Sequence, residues 1–175
     1  VIDGVDKLDN ISECQIIPDR IEAGTYIIAT ALIGGEVILK NICIDHLRTV
    51  IKKIEQTGAV VDIYSSEDGE SLKITASSII KPVNITTSEY PGFPTDLQAQ
   101  WMALMTLAKG KSTITEQIYK DRFTHIGELK RFGSMITLKE NIAYITGVEQ
   151  LKAAPVMSTD IRASASLVIA ALKAE

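Results

Sequence analysis

The sequence predicts an α/β (α+β) fold built from repeated βαβαββ modules, and three observations predict it. Stretches rich in β-branched residues alternate with stretches of helical periodicity. Asp19, Asp96 and Asp160 each open a helical stretch that is apolar almost all round. Landmarks recur in register: Asp19 to Asp96 spans 77 residues, Gly34 to Gly110 spans 76 and Gly58 to Gly133 spans 75. A period of that length exceeds a solenoid repeat and fits a module of two helices and four strands. The expected organisation is one partial domain over residues 1–175, with modules at 14–76 and 83–146 and a truncated third at 156–175.

Residues 1–5 read as a strand already in progress, and residues 14–18 as the first strand of a module, ended by Pro18. Asp19 then caps a helix over 20–33, which Gly34-Gly35 terminates. Residues 36–41 are a strand by β-branched content. Asp45 caps a second helix, in which Leu47, Val50, Ile51 and Ile54 fall at i, i+3, i+4 and i+7 and form one apolar stripe. Gly58 closes that helix. Strands over 59–64 and 71–76 follow, joined by a turn at Glu67-Asp68-Gly69-Glu70.

The same order then returns. Residues 83–87 are a strand, and Tyr90-Pro91-Gly92-Phe93-Pro94 forbids regular structure. Thr95 and Asp96 offer capping oxygens to a helix over 97–108 that contains no charge. After the stop at Gly110 come a strand over 112–116, an amphipathic helix over 123–132, Gly133, and strands over 134–139 and 142–146. A third copy opens at Thr159-Asp160-Ile161-Arg162. A helix apolar on every face is buried on every face. The first helices of the modules should therefore meet in the interior with their three aspartates at one end.

With 175 residues, 46% hydrophobic and 23% charged, the chain can bury a real core. A net charge of −4 without any Lys/Arg-rich run argues against nucleic acid as a partner. No apolar run is long enough to span a bilayer, so no membrane partner is expected. With no secretory leader in view, the expected location is cytoplasmic. Cys14 and Cys43 lie in strand-like apolar surroundings and are expected to be buried free thiols. No Cys/His/carboxylate set has metal-ligand spacing and no glycine-rich phosphate loop occurs, so neither metal nor cofactor is predicted.

Asp96 is the leading functional candidate, set against the plainer reading of a helix cap. Arg162 is either a salt-bridge partner of Asp160 or a functional cation placed at the mouth of an uncharged helix. Arg122 alone would be a solvated loop cation. His125 reads as structural, and Asp19, Arg20 and Glu22 as a charged network that seats the first helix.

Four blocks carry a resemblance that covers the chain in order. They are Ile17-Pro18-Asp19-Arg20-Ile21-Glu22-Ala23-Gly24-Thr25, Phe93-Pro94-Thr95-Asp96-Leu97-Gln98-Ala99-Gln100, Thr115 to His125, and Thr159-Asp160-Ile161-Arg162-Ala163-Ser164-Ala165-Ser166-Leu167. Together they resemble signatures of the enolpyruvyl transferase family, in its branch acting on UDP-N-acetylglucosamine. The resemblance covers less than half of such an enzyme. It implies a fold of two domains, each an inside-out barrel of three modules. It also implies that the 3′-hydroxyl of the sugar adds to C2 of phosphoenolpyruvate, with phosphate then eliminated. By matching motifs it implies Asp96 at the sugar hydroxyl, Ile118 against the uridine nucleotide, and Arg122 and Arg162 in a cationic cluster beside Asp160. The implied partners are UDP-N-acetylglucosamine, phosphoenolpyruvate and the remainder of the same polypeptide. The family's cysteine proton donor, its lysine-asparagine pair and one further arginine fall outside this chain. Asp121 stands where the family usually has Asn, and Thr124 where it has a larger apolar residue. Two other readings stay open: the sister transferase acting on shikimate 3-phosphate, and a non-catalytic α/β scaffold whose aspartates only cap.

Overall fold

A computed structural model describes residues 2–8, 10, 13–67, 69–158 and 160–175. Its elements are α1 (Arg20–Ile33), β1 (Glu36–Ile42), α2 (Ile44–Gln56), β2 (Val60–Ser66), β3 (Gly69–Thr75), β4 (Ile85–Thr86), a single 3-10 turn (Thr95–Leu97), α3 (Gln98–Met105), β5 (Lys111–Thr115), α4 (His125–Arg131), β6 (Met135–Lys139), β7 (Ile142–Thr146) and α5 (Ile161–Ala171). One sheet has the order β1-β3-β2, all antiparallel. The other has the order β4-β5-β7-β6, with β4 parallel to β5.

Of the two helices expected from all-round apolarity to be among the most buried, 20–33 and 97–108, the second contains α3, which is the centre of the core. All of its residues are buried, Gln98 and Gln100 included. Trp101 meets Phe93 edge-on at 5.3 Å and donates its indole N–H to the Val83 carbonyl at 3.4 Å. Helices α1 and α5 both pack against α3 and also touch each other. Close approach needs a small residue: a methyl group on Gly24 of α1 would run into the Leu97 side chain. The all-round burial is only partial for the two flanking helices, since Tyr26 of α1 and Val168 of α5 are exposed. On α2 the predicted stripe of Leu47, Val50, Ile51 and Ile54 is buried as expected.

Several sequence expectations are corrected. Residues 2–5 and 14–18 form no strand, and Ile16 is 87% exposed and Ile17 74%. A strand persists through its ladder, and neither stretch has a pairing partner among the described residues. Cys14 is exposed rather than buried, and Cys43 is half-buried. Cys43, not Asp45, occupies the N-cap of α2: Glu70 takes the Ile44 N–H at 2.9 Å from across the sheet, and Asp45 pairs with Arg48 at 2.6 Å. The strand expected over 83–87 shrinks to Ile85–Thr86. Next to it, Asn84 uses its side-chain oxygen on the Thr113 N–H at 2.8 Å and its carbonyl on Lys53 at 2.8 Å. The helix expected over 97–108 is a 3-10 turn followed by α3, and the one over 123–132 is α4. Val1, Asp68 of the hairpin turn and Thr159 before α5 lie outside the described residues. No helix among the described residues is long and apolar enough to cross a membrane.

Candidate functional site

The three aspartates part company in structure. Asp19 accepts from the N–H groups of Ile21 at 2.7 Å and Glu22 at 3.2 Å, and Asp160 from those of Arg162 at 2.8 Å and Ala163 at 2.9 Å. Both are helix caps, as read from the sequence. Asp96 caps nothing. It lies within the 3-10 turn, and its Oδ1 accepts from Arg122 Nη1 at 2.9 Å and from Arg162 Nε. Among the described residues no donor reaches the other oxygen, Oδ2. The two predicted cations are thus gathered on one predicted carboxylate. Neither guanidinium bonds the Asp160 carboxylate, which takes only backbone N–H groups at the mouth of α5.

Arg122 comes from the turn before α4, where its N–H bonds the Tyr119 carbonyl at 3.0 Å and its guanidinium lies 5.5 Å from the Tyr119 ring. Gln98 of α3 holds the Arg122 carbonyl at 3.3 Å. Arg122 Nη1 also bonds Thr95 Oγ1 at 3.0 Å, and Thr95 donates to Glu116 Oε2 at 2.9 Å. Glu116 is fully buried. Its Oε1 accepts from Thr87 Oγ1 at 2.6 Å, Ile118 N–H at 2.9 Å and Tyr119 N–H at 3.1 Å. The Ile118 N–H is therefore spent inside the protein, so a backbone contact from Ile118 has only its carbonyl to offer. Sequence reasoning missed Glu116 as the hub of this network. The signal was the period-2 alternation of β5, which puts Ser112, Ile114 and Glu116 on one buried face.

Between the mouths of α1, α3 and α5 lies a cleft of about 330 Å³ whose walls include Asp19, Asp96 and Arg162. Of the three aspartates expected at one end, Asp19 and Asp96 line this cleft, and α5 contributes Ile161, Arg162 and Ala165 rather than Asp160. No group of three or more His, Cys, Asp or Glu able to hold a metal exists among the described residues.

His125 sits under the site, fully buried, with no partner for Nε2 among the described residues. Burial pushes its imidazole down to about 4, opposed by the Asp160 carboxylate and reinforced by the Arg122 guanidinium. Asp160 is itself held below the usual carboxylate range, first by the Ala163 N–H. As pH falls from 6.5 toward 4, an unfolded chain takes up a proton on His125 that the folded chain cannot. Stability should drop across that window by about 3 kcal/mol. Depressed Asp160 adds a loss at still lower pH. Urea titrations at pH 7 and pH 4.5 on the native chain and on His125→Leu check this. An equal acid loss in the variant would assign it to other groups.

The sequence profile of the EPSP synthase (3-phosphoshikimate 1-carboxyvinyltransferase) family matches residues 1–175. A UDP-N-acetylglucosamine 1-carboxyvinyltransferase of Beijerinckia indica subsp. indica is 51% identical over 175 residues, covering 99% of this chain and 39% of that protein. One from Thermotoga maritima is 47% identical, covering 100% of this chain and 40% of its own. The chain therefore spans about two fifths of the length of the curated relatives it matches. Among solved structures, the enolpyruvyl transferase NikO from Streptomyces tendae aligns with a TM-score of 0.77 at 25% identity, over 90% of this chain and 37% of that one. An EPSP synthase from Acinetobacter baumannii aligns with a TM-score of 0.67 at 15% identity, over 93% of this chain and 38% of that one, a likeness of fold alone.

Proposed function

Because the chain belongs to the EPSP synthase (3-phosphoshikimate 1-carboxyvinyltransferase) family, we propose that it is part of an enzyme that moves the enolpyruvyl group of phosphoenolpyruvate onto the 3′-hydroxyl of UDP-N-acetylglucosamine. Phosphate is released, in the first committed step of peptidoglycan synthesis in the cytoplasm. We read the chain as an αβαββ unit, a βαβαββ module and the opening of a third, completed by the rest of the polypeptide. The observation that carries the reading is the single carboxylate of Asp96 gripped through one oxygen by Arg122 and Arg162.

That arrangement suits the reaction. Asp96 Oδ2 is open to accept a hydrogen bond from the sugar hydroxyl, raising the electron density on the attacking oxygen. As the oxygen bonds to C2, the C2–C3 double bond becomes single, C3 takes a proton from a donor outside this chain, and the hydroxyl proton leaves toward the carboxylate; loss of phosphate from C2 with a proton from C3 then restores the double bond. Arg122 and Arg162 supply fixed positive charge where the carboxylate and phosphate of phosphoenolpyruvate come to rest. Since Asp96 Oδ1 is committed to two cations, the residue orients and polarises the hydroxyl as much as it removes its proton. In this scheme the exposed Ile118 side chain is the contact for the nucleotide, and Asp160 holds the mouth of α5, on which Arg162 lies. No cofactor is needed in this scheme.

The test is phosphate release by the whole protein that contains this chain. With phosphoenolpyruvate, we expect kcat/KM for UDP-N-acetylglucosamine to exceed that for shikimate 3-phosphate by about 10³ or more, the discrimination that a site built to hydrogen-bond its substrate can reach. The opposite preference would assign the sister reaction, and no turnover with either would favour a scaffold. The 175-residue chain by itself should show no turnover, because effective molarity collapses when part of the shell around the reacting centre is missing.

A further inference from the structure

Arg122 is held at both ends by one short stretch of chain. Its guanidinium bonds Thr95 Oγ1 at 3.0 Å and Asp96 Oδ1 at 2.9 Å. Its backbone carbonyl takes Nε2 of Gln98 at 3.3 Å. Thr95 and Asp96 lie in the 3-10 turn, and Gln98 is the first residue of α3. Since α3 is buried along its whole length, this stretch is the fixed side of the contact. A carbonyl can pair only with the amide nitrogen, so the orientation of the Gln98 amide follows from its partner.

The grip on the carbonyl matters because little else fixes the turn that carries Arg122. Residues 117–121 are all exposed. Before the turn, the Ile118 and Tyr119 N–H groups are tied to Glu116. Within it, the Arg122 N–H closes on the Tyr119 carbonyl at 3.0 Å, and Phe123 is buried just beyond. Among the described residues no side chain other than Gln98 bonds the backbone of residues 120–122. Arg122 also shares the Asp96 oxygen with Arg162. A drift of the turn would leave that oxygen to Arg162 alone.

Folding by itself gives little reason for a glutamine at this position. Gln98 is fully buried, makes one bond through its nitrogen, and its Oε1 has no partner among the described residues. A buried amide in that condition costs stability. A methionine would fill nearly the same space without that cost.

We propose that Gln98 is a positioning residue for the transfer reaction, setting the place of Arg122 relative to Asp96 through the Arg122 carbonyl. It touches neither substrate and acts through the arginine. This rests on the reading of the chain as part of an enolpyruvyl transferase in which Arg122 supplies charge to phosphoenolpyruvate.

The experiment uses the whole protein. Wild type is first assayed with UDP-N-acetylglucosamine and phosphoenolpyruvate; absence of turnover there removes the functional reading and this inference with it. Given turnover, Gln98→Met is expected to lower kcat/KM for phosphoenolpyruvate about 10- to 100-fold, the scale of shifting a contact at the reacting centre by up to about 1 Å. KM for UDP-N-acetylglucosamine should stay within about threefold of wild type. The urea midpoint should equal or exceed that of wild type, which a residue serving only the fold would not allow. A kcat/KM for phosphoenolpyruvate within about threefold of wild type overturns the proposal. So does a loss felt equally in KM for both substrates together with a lowered midpoint. Should Gln98→Met not fold, Gln98→Asn takes its place with the same expected split between substrates, since its amide is one methylene too short to reach the Arg122 carbonyl. Failure of both variants to fold would show that the bond serves the fold, and overturns the proposal as well.

Discussion

Asp96→Asn in the whole protein is expected to slow phosphate release by about 10²–10⁴-fold, the usual contribution of a positioned acid-base group. Asparagine keeps the size and one acceptor oxygen, so the 3-10 turn before α3 should survive. What is lost is the charge that draws Arg122 and Arg162 together from positions 26 and 66 residues away in sequence. Without it the two guanidiniums repel each other, and the sugar hydroxyl meets an amide that cannot take its proton. The stability cost should be small, about 1 kcal/mol, since the pairs are partly open to solvent with Asp96 at 32% exposure. Rate and unfolding midpoint should therefore separate in this variant. A near-normal rate at saturating substrates would show that the chemistry is centred elsewhere.

How far the sequence reached is clearest from the three aspartates. Each opens a helical stretch, and Asp19 and Asp160 are caps as the sequence suggests, because those caps are local and involve backbone two and three residues on. Asp96 has the same local signature, yet its partners come from the turn before α4 and from α5. Nothing between Tyr90 and Gln100 encodes that choice; it is made by the fold. At Arg162 the salt bridge to Asp160 weighed from the sequence does not form, and its guanidinium pairs instead with Asp96, a contact that the sequence did not indicate. Residues 14–18 show the converse failure. Their β-branched content favours extended backbone, but a strand also needs a neighbour, and that is a tertiary fact. The buried character of α3 was legible because no charge interrupts it. The lesser burial of α1 was not, because a tyrosine reads as apolar whether or not something covers it.

Glu116→Ala should be the most destabilising single change near the site, by about 3–5 kcal/mol, the range for breaking a buried hydrogen-bonded carboxylate. The glutamate takes donors from Thr87, Thr95, Ile118 and Tyr119, and its own backbone is fixed by Asn141, whose carbonyl accepts from the Glu116 N–H at 2.9 Å and whose Nδ2 donates to the Glu116 carbonyl at 2.9 Å. Alanine leaves two backbone N–H groups without an acceptor in a space too enclosed for easy solvation. Glu116→Gln is the more informative variant. Its amide oxygen can still serve Ile118 and Tyr119, and its NH₂ can donate to Thr95 Oγ1. That turns the Thr95 hydroxyl proton away, and the new NH₂ then shares the two lone pairs of Thr95 Oγ1 with Arg122 Nη1. The result should be a mild loss of stability, about 1–2 kcal/mol, together with a loss of rate that reaches Asp96 through Arg122. Urea midpoints and phosphate release measured on both variants separate the two effects. If Glu116→Gln lost stability without losing rate, the Thr95–Arg122 link would be structural packing and not a means of holding the arginine on Asp96.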